Sequence, residues 1–134
     1  DPVRVISSYS RVRPEFSFED LGLQQQRDLF ELCVQYGQIP PVIDASRCLV
    51  DPAGTLKKLC ARLNIGFSPK MLKWKSGTRS SDGVWGKHWY QNLEKTTCFS
   101  SNINHQVDIK TANRYPEILK KSLYIYNELL EYSL

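Results

Sequence analysis

The sequence predicts a helix-rich α/β fold with at most one or two strands. Three observations carry that reading. Two Asp-Pro pairs, Asp1-Pro2 and Asp51-Pro52, each open a stretch of helical periodicity. Apolar stripes at 3.6-residue spacing recur over residues 21–33, 56–63 and 118–130. A single short apolar run, Val42-Ile43, stands between Pro40-Pro41 and Asp44 and reads as a buried strand. One strand cannot satisfy its own backbone, and even an isolated pair is marginal. Either further strands hide among the loops, or the sheet lies upstream of Asp1. The absence of an initiator Met favours the second.

The elements follow in order. Asp1 supplies an oxygen for the first turn's orphan N–H groups, and Val5, Ile6 and Tyr9 continue at helical spacing. This helix is expected to end before Pro14. Ser17 with Asp20 three residues on is a capping pattern. Leu21, Leu29, Phe30, Leu32 and Cys33 then predict a helix from about Phe18 to Tyr36, ended by Gly37. After Asp51-Pro52, Leu56, Leu59, Cys60 and Leu63 form a buried face, and Lys57, Lys58 and Arg62 a wet one. Asn64 and Gly66 end that helix. Ser68-Pro69 caps a short turn reaching Leu72. The chain is polar and thinly patterned from Tyr90 to about Arg114. Pro116 opens a last helix, with Leu119, Leu123, Tyr126 and Leu130 as its stripe and Ile118, Ile125 and Leu129 widening it.

The length of 134 residues suits one domain, here residues 1–134. Composition is ordinary for a globular chain, with 41% hydrophobic and 24% charged residues. A net charge of +4 helps attract a small polyanion. It is far from the dense basic stripe of a dedicated nucleic-acid binder, so no nucleic-acid partner is expected. No apolar run approaches the roughly 20 residues of a membrane span, and no signal peptide is evident, so a cytoplasmic protein without a membrane partner is expected. Cys33, Cys48, Cys60 and Cys98 contain no C-x-x-C pair. They read as reduced packing thiols, although two disulfides remain compatible with the count. Their spacing does not suit zinc, and no metal is expected.

The segment Arg79–Tyr90 concentrates cations, Gly, Ser and large rings. Gly83 and Gly86 argue against a helix, at about 1 kcal/mol each relative to Ala, and against a central strand. A long ordered loop is expected. Two readings stay open on these residues alone. The loop wraps an anion and a planar ring, or it is pinned by Trp85, Trp89 and Tyr90 while Arg79 and Lys87 are merely solvated.

Three segments in order resemble P-loop sulfotransferases. Asp1-Pro2-Val3-Arg4-Val5-Ile6-Ser7-Ser8-Tyr9 resembles the family's Arg-Asn/Asp-Pro…Ser-Tyr segment. Asp44–Asp51-Pro52, with the helix to Ile65, resembles its Tyr-Glu-Asp-Leu…Asp-Pro and following helix. Arg79-Ser80-Ser81-Asp82-Gly83-Val84-Trp85-Gly86-Lys87-His88-Trp89 is similar to its Lys-Gly-x-x-Gly-Asp-Trp-Lys-Asn-His-Phe loop. The closing Tyr126…Leu129 helix also looks like the end of bacterial-type and plant members. The resemblance covers essentially the whole chain.

It implies the C-terminal part of a P-loop NTPase-like three-layer fold. It implies transfer of a sulfuryl group from 3′-phosphoadenosine 5′-phosphosulfate to a hydroxyl or amine of a small-molecule acceptor. Ser8 and Arg79 match the family's ligands to the donor's 3′-phosphate, and the loop around Gly83 closes over the nucleotide. Ser80 stands within the same loop, and Trp85 is placed beside the adenine or anchors the loop. The departures matter as much. The Gly-rich phosphosulfate loop and the usual catalytic His would lie upstream, so these 134 residues are expected to be inactive alone. Ala45 stands where many members carry Tyr. Ser80 replaces a Gly, Val84 an Asp and Gly86 a Lys. His88 matches a loop His, not the base. The remaining half is expected from an upstream segment or a homodimer. The rival readings are a non-catalytic nucleotide- or protein-binding module derived from that fold, and a purely structural helical domain.

Overall fold

The computed structural model describes residues 1–84, 86, 90–100 and 108–134. The chain divides into two compact units, one of residues 1–46 and 102–134, the other of residues 47–101.

In the first unit, α1 spans Pro2–Val12. The Asp1 side chain accepts the Val3 N–H at 2.9 Å, and Pro2 takes the first helical position, where an N–H would be unpaired anyway. Arg13 is extended, as the residue before Pro14 should be. Tyr9, Phe16 and Tyr115 then stack in sequence, with centroids 5.2 and 4.7 Å apart. The Tyr115 hydroxyl donates to the Pro14 carbonyl at 2.8 Å, so the turn after α1 is closed by both ring packing and a hydrogen bond.

The helix expected from Phe18 to Tyr36 is divided. Ser17 and Asp20 do cap, with the Asp20 carboxylate accepting both the Ser17 N–H at 2.8 Å and its hydroxyl at 3.0 Å. What they cap is a 3-10 turn, Glu19–Leu21. Gly22 follows at φ 71°, and α2 runs only from Leu23 to Gln35. A left-handed residue cannot be helix interior, and Gly tolerates that conformation at little cost. The C-terminus is as expected. Gly37 at φ 75° donates to Val34 O and Gln38 N–H to Cys33 O at 2.9 Å, the paired bonds of a left-handed helix stop.

The short α5, Ile109–Ala112, falls where the sequence is thinly patterned. Asp108 caps it, accepting the Thr111 N–H at 3.0 Å and the Thr111 hydroxyl at 2.6 Å. Four residues are too few for periodicity to reveal; only the Asp-x-x-Thr cap marks it. The last helix, α6, spans Pro116–Leu130 as expected. It is the backbone of the unit, with α1 and α2 packed against it. Its deepest residues are Ser122 and Ile125 rather than the Leu119–Leu123 line, which is half-buried. The core is thin: Ile6 and Ala112 are fully buried, Ile125 is 3% exposed and Phe18 9%. Arg27 ties α2 to α6 by reaching Glu31 at 2.9 Å and Glu128 at 3.3 Å.

The Val42-Ile43 strand is reduced to a single parallel bridge, Val42 to Ser133. Pro40 and Pro41 have no N–H with which to lengthen a ladder, and Ile43 is 38% exposed. Another short helix that the sequence conceals, α3, follows directly at Ala45–Val50.

In the second unit, α4 spans Pro52–Arg62, with the Asp51 side chain accepting the Gly54 N–H at 2.9 Å. Cys60 is buried and Leu56 and Leu59 are half-buried, but Leu63 is 48% exposed. Asn64 at φ 54° ends the helix, with Ile65 N–H donating to Cys60 O at 2.9 Å. A 3-10 turn, Pro69–Leu72, is capped by the Ser68 hydroxyl as the sequence predicts. It packs back on α4 through Cys60 Sγ and Met71 Sδ, 3.9 Å apart. Residues 73–77 then run beside residues 94–98, through the antiparallel Lys73–Cys98 bridge and bonds from Trp74 N–H to Thr97 O (2.9 Å) and Gly77 N–H to Glu94 O (2.7 Å).

Candidate functional site

That pairing holds both ends of the Arg79–Tyr90 segment. Trp74 anchors it. Its indole N–H donates to the Thr96 hydroxyl at 3.1 Å, and its ring meets Phe99 edge-on at 5.2 Å. Between these ends the chain makes a 3-10 turn, Ser80–Asp82. Arg79 precedes it in extended conformation, and its N–H donates to the Asp82 carboxylate at 2.9 Å. Asp82 thus occupies one main-chain donor that an anion would otherwise use.

The side chains of Arg79 and Ser80 are exposed, and among the described residues neither has a partner. A guanidinium left uncommitted offers a planar fork of donors suited to phosphate oxygens. Gly83 follows at φ 65° and ψ −172°, a region open essentially to Gly alone. Nothing lies within 4 Å of where a Cβ would stand, so the backbone conformation, not crowding, requires Gly here.

Gly86 corrects the expectation of a continuous loop. It is helical and buried, and its carbonyl accepts the Tyr90 N–H at 2.9 Å. A Cβ at Gly86 would stand 3.0 Å from Asp82 Cβ. The glycine therefore permits its own backbone to approach Asp82 closely, which outweighs its poor helix propensity. Trp85, Lys87, His88 and Trp89 lie outside the described residues, so the expected ring beside the adenine is not described.

Ser8 belongs to the first unit, on α1. It is exposed, and its hydroxyl has no partner among the described residues. Its neighbour Ser7 is 4% exposed, with its hydroxyl 2.7 Å from Val3 O and 2.9 Å from Asp108 O. The Ser7 bond joins α1 to the cap of α5 across 101 residues of sequence. Helical geometry turns adjacent side chains about 100° apart, which is why one serine is structural and the other faces solvent. Arg79, Ser80 and Gly83 are thus brought together in one turn; Ser8 lies on α1, in the other unit.

Asp108 and Cys48 are among the groups with shifted ionisation. The Thr111 hydroxyl, then its N–H, hold the Asp108 carboxyl below the usual carboxylate range. Burial pushes the Cys48 thiol up. All four cysteines are free. The sequence did not signal the contact between the buried Asp44 carboxylate and Tyr126, whose hydroxyl donates at 2.9 Å. The two residues are 82 positions apart. The contact fastens the start of α3 to α6.

The model of a sulfotransferase domain matches residues 1–130. The chain belongs to the sulfotransferase domain family. Among curated proteins, it is 36% identical over 129 residues to "Branched-chain-amino-acid aminotransferase-like protein 1" of Arabidopsis thaliana. It is 34% identical over 129 residues to "Branched-chain-amino-acid aminotransferase-like protein 2" of the same plant. Each match covers 96% of this chain, but only 23% and 22% of those proteins. The sulfotransferase chain thus spans less than a quarter of their length. No solved structure matches this sulfotransferase domain. Among the described residues, no helix is long and apolar enough to cross a membrane.

Proposed function

We propose that this chain supplies the nucleotide 3′-phosphate side and the lid of a sulfotransferase whose donor is 3′-phosphoadenosine 5′-phosphosulfate. The observation that carries the reading is the turn at Arg79–Gly83. It presents an exposed guanidinium with no partner among the described residues, beside a backbone held in a glycine-only conformation. Arg79 binds the 3′-phosphate by its forked donors, Ser80 adds a hydroxyl, and Gly83 lets the main chain approach the anion; the family resemblance assigns Ser8 to the same phosphate. The family resemblance assigns Trp85 either to the adenine or to anchoring the loop. The donor supplies the sulfuryl group, and a small-molecule hydroxyl or amine accepts it.

The remainder of the site, the phosphosulfate loop and the general base, belongs to an upstream P-loop half of the three-layer fold. Proton removal from the acceptor and stabilisation of the sulfuryl oxygens each need groups that this turn does not offer. The 134 residues alone, a single partial domain, are accordingly inactive in transfer.

The test is a pair of titrations on the 134-residue chain, one with 3′-phosphoadenosine 5′-phosphate and one with adenosine 5′-phosphate. The 3′-phosphate should confer at least tenfold tighter binding. A hydrogen bond to a charged group is worth about 1.5–3 kcal/mol, so Arg79→Ala should erase that preference, and Ser8→Ala should reduce it. Equal affinities for the two nucleotides in a folded sample would refute the assignment.

A further inference from the structure

A groove between α2 and α6 lies wholly within the first unit and measures about 550 Å³. That volume is in the range of small-molecule sites. On α6 it takes Glu117, Lys120, Lys121, Tyr124 and Ile125, the i, i+3, i+4, i+7 and i+8 positions of one helix face. Opposite stand Phe18 and Glu19 at the 3-10 turn, and Gln24 and Arg27 of α2. The left-handed Gly22 separates those two elements, so each contributes its own side of the groove.

The floor is apolar, with Phe18 and Ile125 both buried. The polar groups are of both signs, and some are already committed. Arg27 reaches Glu31 and Glu128, and its Cζ stands 5.8 Å from the Tyr124 centroid. The Gln24 amide donates to Asp28 at 2.8 Å. Lys121 Nζ lies 5.8 Å from the Phe18 centroid, over a ring rather than a carboxylate. Lys120, Lys121, Glu19 and Glu117 are exposed, and among the described residues none of the four forms an ion pair. Glu117 and Lys120 do not pair although they share a face of α6. The groove thus offers two ammonium groups and two carboxylates that do not neutralise one another.

We propose that this groove binds a small zwitterion with an aromatic body, bearing a primary ammonium and a carboxylate at one end. Lys120 takes the carboxylate and Glu117 the ammonium, with Lys121 and Glu19 reinforcing each. The ring rests on Phe18 and Ile125. The charge balance selects this chemistry. With Arg27 neutralised, a ligand of single charge loses on one pair of residues what it gains on the other, whereas a zwitterion gains on both. The order along α6 fits as well. The charged positions 117–121 and the apolar and aromatic positions 124–125 occupy successive turns, about 5.4 Å apart, matching a charged head beside a flat body. An aromatic body is favoured because ring pairs contribute beyond their buried area. The proposal uses no residue of the Arg79 turn and does not depend on the donor assignment.

The probe is L-phenylalanine, beside 3-phenylpropionate, which lacks its ammonium, and phenethylamine, which lacks its carboxylate. Each is titrated into the 134-residue chain and followed by amide NMR shifts. E117Q and K120Q are measured beside the unaltered chain, with circular dichroism to check the fold. Phenylalanine should bind in the millimolar range or tighter, about tenfold more tightly than either analogue, with shifts centred on residues 18–27 and 117–125. Each variant should weaken phenylalanine about threefold, as suits a half-solvated charge contact. The analogues should move the other way: E117Q should tighten phenylpropionate, and K120Q should tighten phenethylamine. A merely structural role for either residue would not produce that crossover. Absence of phenylalanine binding in the folded, unaltered chain overturns the proposal, as do shifts centred elsewhere. Equal binding of all three probes would mark an apolar groove without charge selection, and tighter binding of one analogue would mark a simple anion or cation site; either result overturns it. So does an unchanged affinity for phenylalanine in both variants.

Discussion

At the scale of single residues, Ser7 and Ser8 divide a buried structural hydroxyl from an exposed one. The Ser7 hydroxyl is buried and shared between the carbonyls of Val3 and Asp108. Its loss leaves the Asp108 carbonyl without that donor in a part-buried site, at a cost of about 1–3 kcal/mol. Ser8 is exposed and unpartnered among the described residues, so its loss should stay within about 0.5 kcal/mol. Urea unfolding of Ser7→Ala and Ser8→Ala should show this contrast, and a large destabilisation by Ser8→Ala would mean that its hydroxyl has a structural role. The two are equivalent in the amino-acid string, and only the phase of α1 separates them. Arg79 and Gly83 were more legible, because a cation before a Ser-Ser-Asp-Gly turn states its own local chemistry. Gly86 was misread for the same local reason. Its propensity is poor, but its backbone passes close to Asp82 four residues back, a contact that composition alone does not show.

At the scale of elements, the helices opened by Asp-Pro or closed by Gly and Asn came out where their caps lie. Capping is satisfied within three residues of the chain, so it is written in the sequence. α4 allows a sharp test. Asp51 Oδ1 accepts the Gly54 N–H at 2.9 Å, and a Cβ on Gly54 would collide with Asp51 Oδ2. Asp51→Ala should cost about 1 kcal/mol. Gly54→Ala should gain about 1 kcal/mol from helix propensity alone. Displacing the cap should cancel that gain. Thermal unfolding followed by circular dichroism decides it: a clear rise in Tm for Gly54→Ala would show that the cap carries no weight. α3 and α5 escaped the sequence because six and four residues are too few to display a period. The strand at Val42 was over-read, since an apolar pair between two prolines and an Asp lacks the N–H groups to extend a ladder.

At the scale of the whole molecule, the core formed by the described residues is small. In α2 and beyond it, Leu29, Leu32, Tyr36 and Ile39 are 62%, 47%, 80% and 53% exposed, and among the described residues few apolar side chains are fully enclosed. Stability should therefore rest heavily on the positions that are enclosed. Ile125 is 3% exposed at the centre of α6, and truncating such a side chain costs about 2–5 kcal/mol against a typical total of 5–15. Ile125→Ala should leave the chain largely unfolded at 37 °C by circular dichroism; a cooperative melt near the parent Tm would show that the core is more redundant than this. The sequence alone determined the helix-rich character, the two Asp-Pro starts, the stops at Gly37 and Asn64, and the family resemblance. All of these depend on residues close together in the chain or on their order along it. The tertiary structure alone decided which serine is buried, that Asp44 meets Tyr126, and that Ser122 and Ile125 are the deepest residues of α6. Each of those depends on where the chain returns in space, and side chains 82 or 101 positions apart carry no local mark of having met.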